Sequence, residues 1–322
     1  MSNLALDFRQ RSRLLILIIA VCLLFSTWPK TAIAQDSKTD ARMVDSLFIR
    51  ASSGEVKYRD LVEPSKQALI DLGARAIPQM LTKLKTHDAR EMLTVSDIFK
   101  GIGEIAVDSL NVRIKSNDDF VRRLAIRCLG EIGSPKAVGP LIAGSQHEDW
   151  RTRSGIMTAL GQIGVQAGAS TATAGLDDTD ELVVTSAAVA CGKIINGIEP
   201  QKLVSSLNHP YYGVRYCAMN SLVMIGEPAI KPLIDFLSSG KWQTGLVYAV
   251  GALGKIGTKS ALPVFESYIK SEDWSLRASV AEALGNIHEK KSRKILELAL
   301  RGENHPYVLA KIESSLAKLR QK

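Results

Sequence analysis

The sequence repeats itself with a period of about 31 residues. Each copy ends in an apolar marker residue, and successive markers lie 30 to 32 residues apart. The nine markers are Leu72, Ile102, Ile132, Ile163, Ile194, Ile225, Ile256, Ile287 and Leu319. A fixed period over this many copies predicts a repeat architecture, in which each copy packs mainly against its neighbours.

Each copy predicts two helices separated by a turn. The first helix carries apolar or small residues seven and three positions before the marker, as at Ala125 and Leu129, which places them on one face. A glycine follows most markers, where a left-handed residue ends a helix. The second helix then begins, and its proline is predicted to fall in the first turn, as at Pro140 and Pro232. The fold class is therefore all-α, a right-handed α-solenoid of about eight helical hairpins.

The copies share three short motifs. These are Asp-x-x-Val-Arg, Ala-x-x-Ala-Leu-Gly-x-Ile-Gly and Ala-(Ile or Val)-x-Pro-Leu. Over residues 62–322 the pattern resembles the short bacterial HEAT repeats, including the HEAT-like repeats named after phycobilisome lyases. The resemblance implies a solenoid, and such repeats occur in binding scaffolds, adaptors and a few enzymes. It also implies an Asp/Arg ladder between copies, formed here by Arg122, Arg153, Arg215 and Arg277.

The N-terminus has the pattern of a secretory signal peptide. Arginines precede an apolar run over residues 14–25, and Ala32-Ile33-Ala34 follows. Twelve helical residues span about 18 Å, which is short of the roughly 30 Å of a bilayer core. We expect cleavage between Ala34 and Gln35 and a periplasmic or secreted protein, without membrane insertion after cleavage. An uncleaved membrane anchor is the alternative.

The predicted domains follow from these boundaries. Residues 1–34 form the signal peptide, residues 35–61 an N-terminal capping segment, and residues 62–322 the repeat solenoid. The capping segment is expected to bury one face of a helix through Met43, Val44, Leu47 and Phe48, because a terminal repeat needs a cover.

The net charge of +8 is concentrated near the C-terminus. Residues 287–322 hold nine Lys and Arg residues against four Glu residues. No long basic face is predicted elsewhere to neutralise a run of phosphates, so nucleic acid is excluded as a partner. The basic end is expected to steer an acidic protein toward the chain.

The sequence predicts no catalytic residue, metal site or cofactor. Only His147-Glu148 and His288-Glu289 match the His-Glu pairs of the HEAT-type di-iron hydroxylase, and they occur at different positions within their copies. No cysteine pair has zinc spacing and no serine lies in a Gly-x-Ser-x-Gly turn. Cys128, Cys191 and Cys217 are expected to be small core residues.

Two features leave alternatives open. An aromatic residue recurs 12 to 14 positions before most markers, and these residues either stack on an extended ligand or staple adjacent turns together. They are Phe120, Trp150, Tyr211, Tyr212, Trp242, Trp274 and Tyr307. The second helix over residues 165–176 is rich in Gly, Ala and Thr, which predicts either a loose helix or a notch in the concave surface.

The pattern favours a non-catalytic scaffold or adaptor that binds a protein or peptide. The second helices are expected to line the concave surface, and their side chains off the core face are the candidate binding residues. These are Lys231, Asp235, Glu266, Lys270, Lys294 and Arg301. The alternatives are an enzyme of the HEAT-lyase kind and a structural binder of a cell-envelope component.

Overall fold

The computed structural model describes residues 38–240 and 243–320, and these residues are mostly helical, with no strand among them. The predicted signal peptide lies outside the described residues. The chain divides after Ala106 into two compact units.

The first unit begins with α1, over residues 38–51, and continues with three more helices. They are α2 (Val62–Asp71), α3 (Ile77–Met80) and α4 (Ala89–Ile102). Val44, Phe48 and Ala51 are buried on one face of α1, whereas Met43 lies at the surface. Ion pairs from α1 to Arg75 and Lys83 tie this helix to the α3 region.

The second unit alternates long and short helices. The even-numbered layer is made of the predicted first helices: α6 (Asp119–Ile132), α8 (Trp150–Ile163), α10 (Glu181–Ile194), α12 (Tyr212–Ile225), α14 (Gln243–Ile256), α16 (Trp274–Asn286) and α18 (Pro306–Arg320). The odd-numbered layer is made of the predicted second helices: α5 (Val107–Arg113), α7 (Val138–Ala143), α9 (Ala169–Ala174), α11 (Pro200–Ser206), α13 (Glu227–Ser239), α15 (Leu262–Tyr268) and α17 (Lys290–Leu300). The predicted all-α solenoid of helical hairpins is confirmed.

The ends of the helices follow the sequence pattern. Each predicted stop glycine after a marker has a positive φ, between 54° and 77°. The six are Gly73, Gly103, Gly133, Gly164, Gly226 and Gly257. After Ile194 the positive φ falls on Ile195, at 57°, although a β-branched side chain disfavours it. At the other end, Asp118, Asp149 and Asp273 accept hydrogen bonds from backbone N–H groups as N-caps.

The prediction for Pro232 is wrong. Pro140 lies in the first turn of α7, but Pro232 lies inside α13, which already begins at Glu227. Four other odd-numbered helices, α5, α7, α9 and α15, are preceded by a 3-10 turn, for example Pro135–Ala137 before α7. No 3-10 turn precedes α13, whose first turn holds Pro228, so Pro232 falls in the second turn of the helix.

A glycine two positions before the marker lets neighbouring even-numbered helices touch backbone to backbone. A Cβ atom built on each of these glycines would lie 2.6 to 2.9 Å from a Cα atom of the next even-numbered helix. The contacts are Gly130 with Ala159, Gly161 with Ala190, Gly192 with Ser221, Gly254 with Ala283, and Gly285 with Ser315. Side chains larger than hydrogen have no room here, so glycine sets the spacing of this layer.

The odd-numbered helices are more widely spaced. They make few contacts with one another, and grooves open between α11 and α13 and between α15 and α17. A stack curves toward its more closely spaced layer, so the even-numbered helices line the inner side of the second unit. The sequence analysis expected the second helices on the concave surface, whereas the contacts between helices favour the first helices there.

The segment rich in small residues, 165–176, is helical. It forms a 3-10 turn over Gln166–Gly168, helix α9, and a second 3-10 turn that begins at Gly175. A Cβ on Gly175 would lie 2.9 Å from both the Cβ of Ala187 and the Sδ of Met157. The small residues therefore let α9 approach α8 and α10 closely, and the helix resembles α7 in length.

We predict that Gly161→Ala lowers the free energy of unfolding by about 1–3 kcal/mol, because the new methyl group overlaps the backbone of α10. The matched control is Gly139→Ala in α7, where a Cβ meets nothing within 4 Å. The control is expected to be neutral or stabilising by less than about 1 kcal/mol. Urea unfolding of both variants measures the difference, and equal effects would contradict the close contact.

Candidate functional site

The six predicted binding residues all belong to the odd-numbered layer or its turns. Lys231 and Asp235 lie one turn apart on α13 and form an ion pair of 2.8 Å. Both side chains are more than half exposed, so the pair adds little to stability. Because this layer is the widely spaced one, these residues face the outer side of the second unit.

Glu266, Lys270 and Lys294 are brought together around the groove between α15 and α17. The groove has a volume of about 540 Å³, and Glu266 and Lys270 line it. The Nζ of Lys291 lies 3.0 Å from the Glu266 carboxylate. Its hydrogen bond, with the nearby charges of Lys270 and Lys294, lowers the pKa of Glu266. Arg301 is exposed at the end of α17, and it does not line the groove.

A second groove of about 850 Å³ opens between α11 and α13. Its lining is largely polar and includes Asp177, Lys202, His209 and Asp235. Lys202 is ion-paired with Asp177 across it. The outer layer is thus grooved, and several of its charged side chains are paired within the chain.

The even-numbered layer is held together by a recurring arginine ten positions before the marker. In Arg277, Nη1 donates to the carbonyl oxygens of Ser271 and Glu272, at 2.8 and 3.0 Å. The other edge, Nε and Nη2, donates to the two carboxylate oxygens of Glu303 at 2.7 and 2.9 Å. The guanidinium of Arg277 therefore binds the turn that precedes its own helix, and it also binds a carboxylate of the next copy through two hydrogen bonds.

Arg153 repeats this arrangement. Its Nη1 donates to the carbonyl oxygens of His147 and Glu148, and its Nε and Nη2 donate to Asp178 at 2.7 and 2.8 Å. The hydrogen bond from Arg153 is the main cause that lowers the pKa of Asp178. The ladder between copies implied by the resemblance is present at both arginines.

The spacing between Asp118, Asp149 and Asp273 and the ladder arginines also suggests ion pairs within one helix. Such pairs do not form the ladder. Those aspartates cap their helices, and the arginines bind acids 25 or 26 residues later instead. Arg122 differs again, since its Nε donates to the Thr152 hydroxyl at 3.1 Å and its Nη2 to Asp119.

Aromatic residues join neighbouring copies along the same layer. Trp274 stacks on His305 with ring centroids 4.7 Å apart, and Tyr307 meets the Trp274 ring edge-on at 5.7 Å. Tyr212 contacts Tyr248 of α14 in the same way, at 6.4 Å. The aromatic residues do staple adjacent copies, yet Trp274, Tyr212 and Tyr307 remain between 47% and 60% exposed.

Cations lie over several of these rings. The guanidinium of Arg151 lies 4.4 Å from the Trp150 ring, and that of Arg123 lies 5.1 Å from Phe120. Trp150, Arg151 and Arg123 line a groove of about 450 Å³ on α6 and α8. The inner layer therefore carries an aromatic surface with basic groups along it.

Sequence reasoning missed part of this surface. Tyr216 and Met224 on α12, and Leu182 and Val189 on α10, are exposed on the even-numbered layer. The repeat pattern could have identified these residues as exposed, because they lie between the core positions of their helices. Their role depends on which layer is inner, and the periodicity of the sequence does not show that.

The cysteine prediction is confirmed for two of three residues. Cys128 and Cys191 are fully buried, whereas Cys217 is partly buried against the core. Burial raises the pKa of the Cys191 thiol to about 12. Over residues 38–240 and 243–320, no three His, Cys, Asp or Glu side chains lie together as a metal site would require. Nor is any helix in these ranges long and apolar enough to cross a membrane.

We predict that Glu303→Gln lowers the free energy of unfolding by about 2 kcal/mol at neutral pH. The bond from Arg277 lowers the pKa of Glu303 from 4.5 to about 2. The stabilisation is therefore complete above pH 4.5 and is lost as the pH falls toward 2. Urea unfolding across this range should show the difference between the native chain and the variant shrinking.

The control for this prediction is Glu313→Gln, at an exposed site on α18. It is expected to change the free energy of unfolding by less than about 0.5 kcal/mol. A difference between the Glu303 variant and the native chain that stays constant from pH 7 to pH 2 would contradict the paired carboxylate.

Solved structures share the fold at low sequence identity. Kap95, in its complex with Nup1, gives a TM-score of 0.59 at 13% identity, over 86% of this chain and 45% of Kap95. The Escherichia coli protein YibA gives a TM-score of 0.50 at 15% identity, over 84% of this chain and 98% of YibA. The CpcE and CpcF complex of the Nostoc phycocyanin lyase gives 0.39 at 19% identity, over 75% of this chain and 94% of the matched one.

No curated protein sequence matches the chain. A family model for HEAT repeats matches residues 107–192 and 230–317, which together make up more than half of the sequence. The match falls on the second unit, where the paired helices, the stop glycines and the arginine ladder recur. The chain belongs to the HEAT-repeat family.

Proposed function

We propose that the protein is a non-catalytic scaffold that binds a protein or peptide on the even-numbered layer of its second unit. The observation that carries this proposal is the set of large apolar side chains exposed on that layer. They are Leu182, Val189, Tyr211, Tyr212, Tyr216, Met224, Trp274 and Tyr307. Apolar residues exposed along one face are typical of a surface that a partner covers.

The composition of this face suits a protein partner. Tyrosine, tryptophan and methionine are enriched at the centres of protein interfaces, and they contribute most of the binding energy there. On the described odd-numbered helices of the second unit, the exposed large apolar residues are Val112 and Leu298. The contrast favours the inner layer over the outer one.

The inner layer is also pre-organised for binding. Glycine contacts fix the spacing of its helices, and the Arg153–Asp178 and Arg277–Glu303 pairs connect consecutive copies. A partner that docks on such a layer loses little free energy to ordering it, because the layer is already ordered. The fold shared with Kap95, which was solved in complex with Nup1, is consistent with a role in protein binding.

The N-terminal pattern supports export, so the proposed partner is a periplasmic or secreted protein or a component of the cell envelope. The predicted cleavage site would leave Gln35 at the N-terminus of the mature chain. Mass determination of the chain purified from its own cells tests this part separately from the binding face.

The binding face is tested by affinity capture from envelope extract with the full tagged chain. An inner-layer variant carries Tyr212→Ala and Trp274→Ala, and a matched outer-layer variant carries Lys231→Glu, Lys270→Glu and Lys294→Glu. We predict that the inner-layer variant recovers at least about tenfold less partner, because exposed aromatic anchors each contribute about 2 kcal/mol or more.

The outer-layer variant is expected to recover as much partner as the native chain. Thermal unfolding followed by circular dichroism serves as the control that both variants fold. The reverse result, with loss only in the outer-layer variant, would contradict the proposed face. A chromophore that copurifies with the native chain would contradict the non-catalytic role.

A further inference from the structure

One arginine of the ladder lacks its carboxylate. Arg215 closes its own turn as the others do, with Nη1 donating to the carbonyl oxygens of His209 and Pro210 at 2.7 and 2.6 Å. Its Nε is buried and has no hydrogen-bond partner. In Arg153 and Arg277 the same edge holds a carboxylate through two hydrogen bonds. Arg215 therefore presents an edge built for a carboxylate that the described chain does not supply.

The sequence explains the missing acid. The carboxylates that bind Arg153 and Arg277 lie 25 and 26 residues later, at Asp178 and Glu303. The corresponding positions after Arg215 are Gly240 and Lys241, and neither residue type carries a carboxylate. A buried N–H group without an acceptor, such as the Nε of Arg215, is costly because water does not reach it and no group replaces the water.

The helix contact is also different at this copy. The glycine that lies two positions before the marker in the neighbouring copies is replaced here by Val223. A valine side chain keeps α12 from the backbone-to-backbone approach that Gly254 allows between α14 and α16. Accordingly, α12 and α14 pack against each other less extensively than α14 and α16.

Tyrosines surround the unmatched edge. The Arg215 guanidinium lies 5.4 Å from the Tyr248 ring and 5.9 Å from the Tyr212 ring. Tyr216 stacks on Tyr212 at 6.0 Å, and both rings are exposed. Tyr248 packs against the core, whereas the Tyr212 ring is largely exposed. The Arg215 guanidinium therefore lies near the rings of two tyrosines on the inner layer.

We propose that Arg215 and the rings of Tyr212, Tyr216 and Tyr248 bind an acidic side chain of the partner protein. The Asp or Glu of the partner takes the place that Asp178 and Glu303 occupy at the other arginines. An apolar neighbour of that acid packs on the exposed rings of Tyr212 and Tyr216. This inference rests on the proposed function, since it names the chemistry of the partner at one point of the same face.

Both parts of the site fit this occupant. A guanidinium edge matches a carboxylate with two parallel hydrogen bonds, and its ionic bonds are stronger when water is excluded. Tyrosine rings bury an apolar side chain without an entropic cost for ordering long flexible groups. A peptide with an acid beside an apolar residue satisfies both at once.

The test is a selection of peptides from a random displayed library on the full chain, with the N-terminal and C-terminal groups of the resynthesised peptides blocked. We expect enrichment of sequences with Asp or Glu beside an aromatic or aliphatic residue. Replacing that acid with its amide, Asn for Asp or Gln for Glu, should weaken the affinity at least about tenfold, because the charged hydrogen bonds are lost. This change is in the peptide, so it does not depend on the folding of a variant.

The chain is changed in parallel. Arg215→Gln should bind the acidic peptide and its amide form equally well, and Arg215→Lys should keep only part of the preference, since lysine retains the charge but lacks the planar fork. Arg151→Gln, an exposed cation over the Trp150 ring on the same layer, is the matched control. It should keep the preference for the acidic peptide within about twofold.

The outcomes separate this proposal from the one it rests on. Selected peptides without acids, or a preference for the acid that survives in both Arg215 variants, would overturn the carboxylate site. If such peptides still lose affinity for the Tyr212→Ala and Trp274→Ala variant, the binding face stands. Peptides that bind this variant as tightly as the native chain, or no enrichment at all, would overturn the face as well.

Discussion

The second unit depends on the backbone contact between neighbouring even-numbered helices. A hydrogen atom in place of a side chain at Gly130, Gly161, Gly192, Gly254 and Gly285 allows each helix to touch the next. In the part of the second unit that the structure describes, no comparable contact draws the odd-numbered helices together, so the two layers have different spacings, which favours a curve toward the even-numbered layer. The same contact therefore decides which layer is inner, and with it which side chains a partner can meet.

Much of the fold could be predicted from the sequence. The period of about 31 residues, the stop glycines and the capping aspartates are local signals, and they follow from the helical repeat and from φ values that favour glycine. The inner layer could not be read in this way, because periodicity shows which face is buried and does not show how closely two helices approach. The glycine two positions before the marker, which lies between core positions, is the residue that determines how closely two helices approach.

The site was harder to predict for the same reason. The partners of Arg153 and Arg277 lie 25 and 26 residues away, in turns whose positions depend on the stacking of copies. The charged residues chosen from the second helices, such as Lys231 and Glu266, form ion pairs on the outer layer. Once the layers are assigned, Arg215 differs from Arg153 and Arg277, because it lacks the acid that each of those arginines binds.

The central claim is that a partner binds on the even-numbered layer, and hydrogen–deuterium exchange of the full chain with and without a selected peptide tests it most directly. The account predicts that binding slows exchange in α12 and in the turns that carry Tyr211, Tyr212 and Trp274, where the exposed rings lie. Slowed exchange confined to α13, α15 and α17 would contradict it, because those helices form the outer layer.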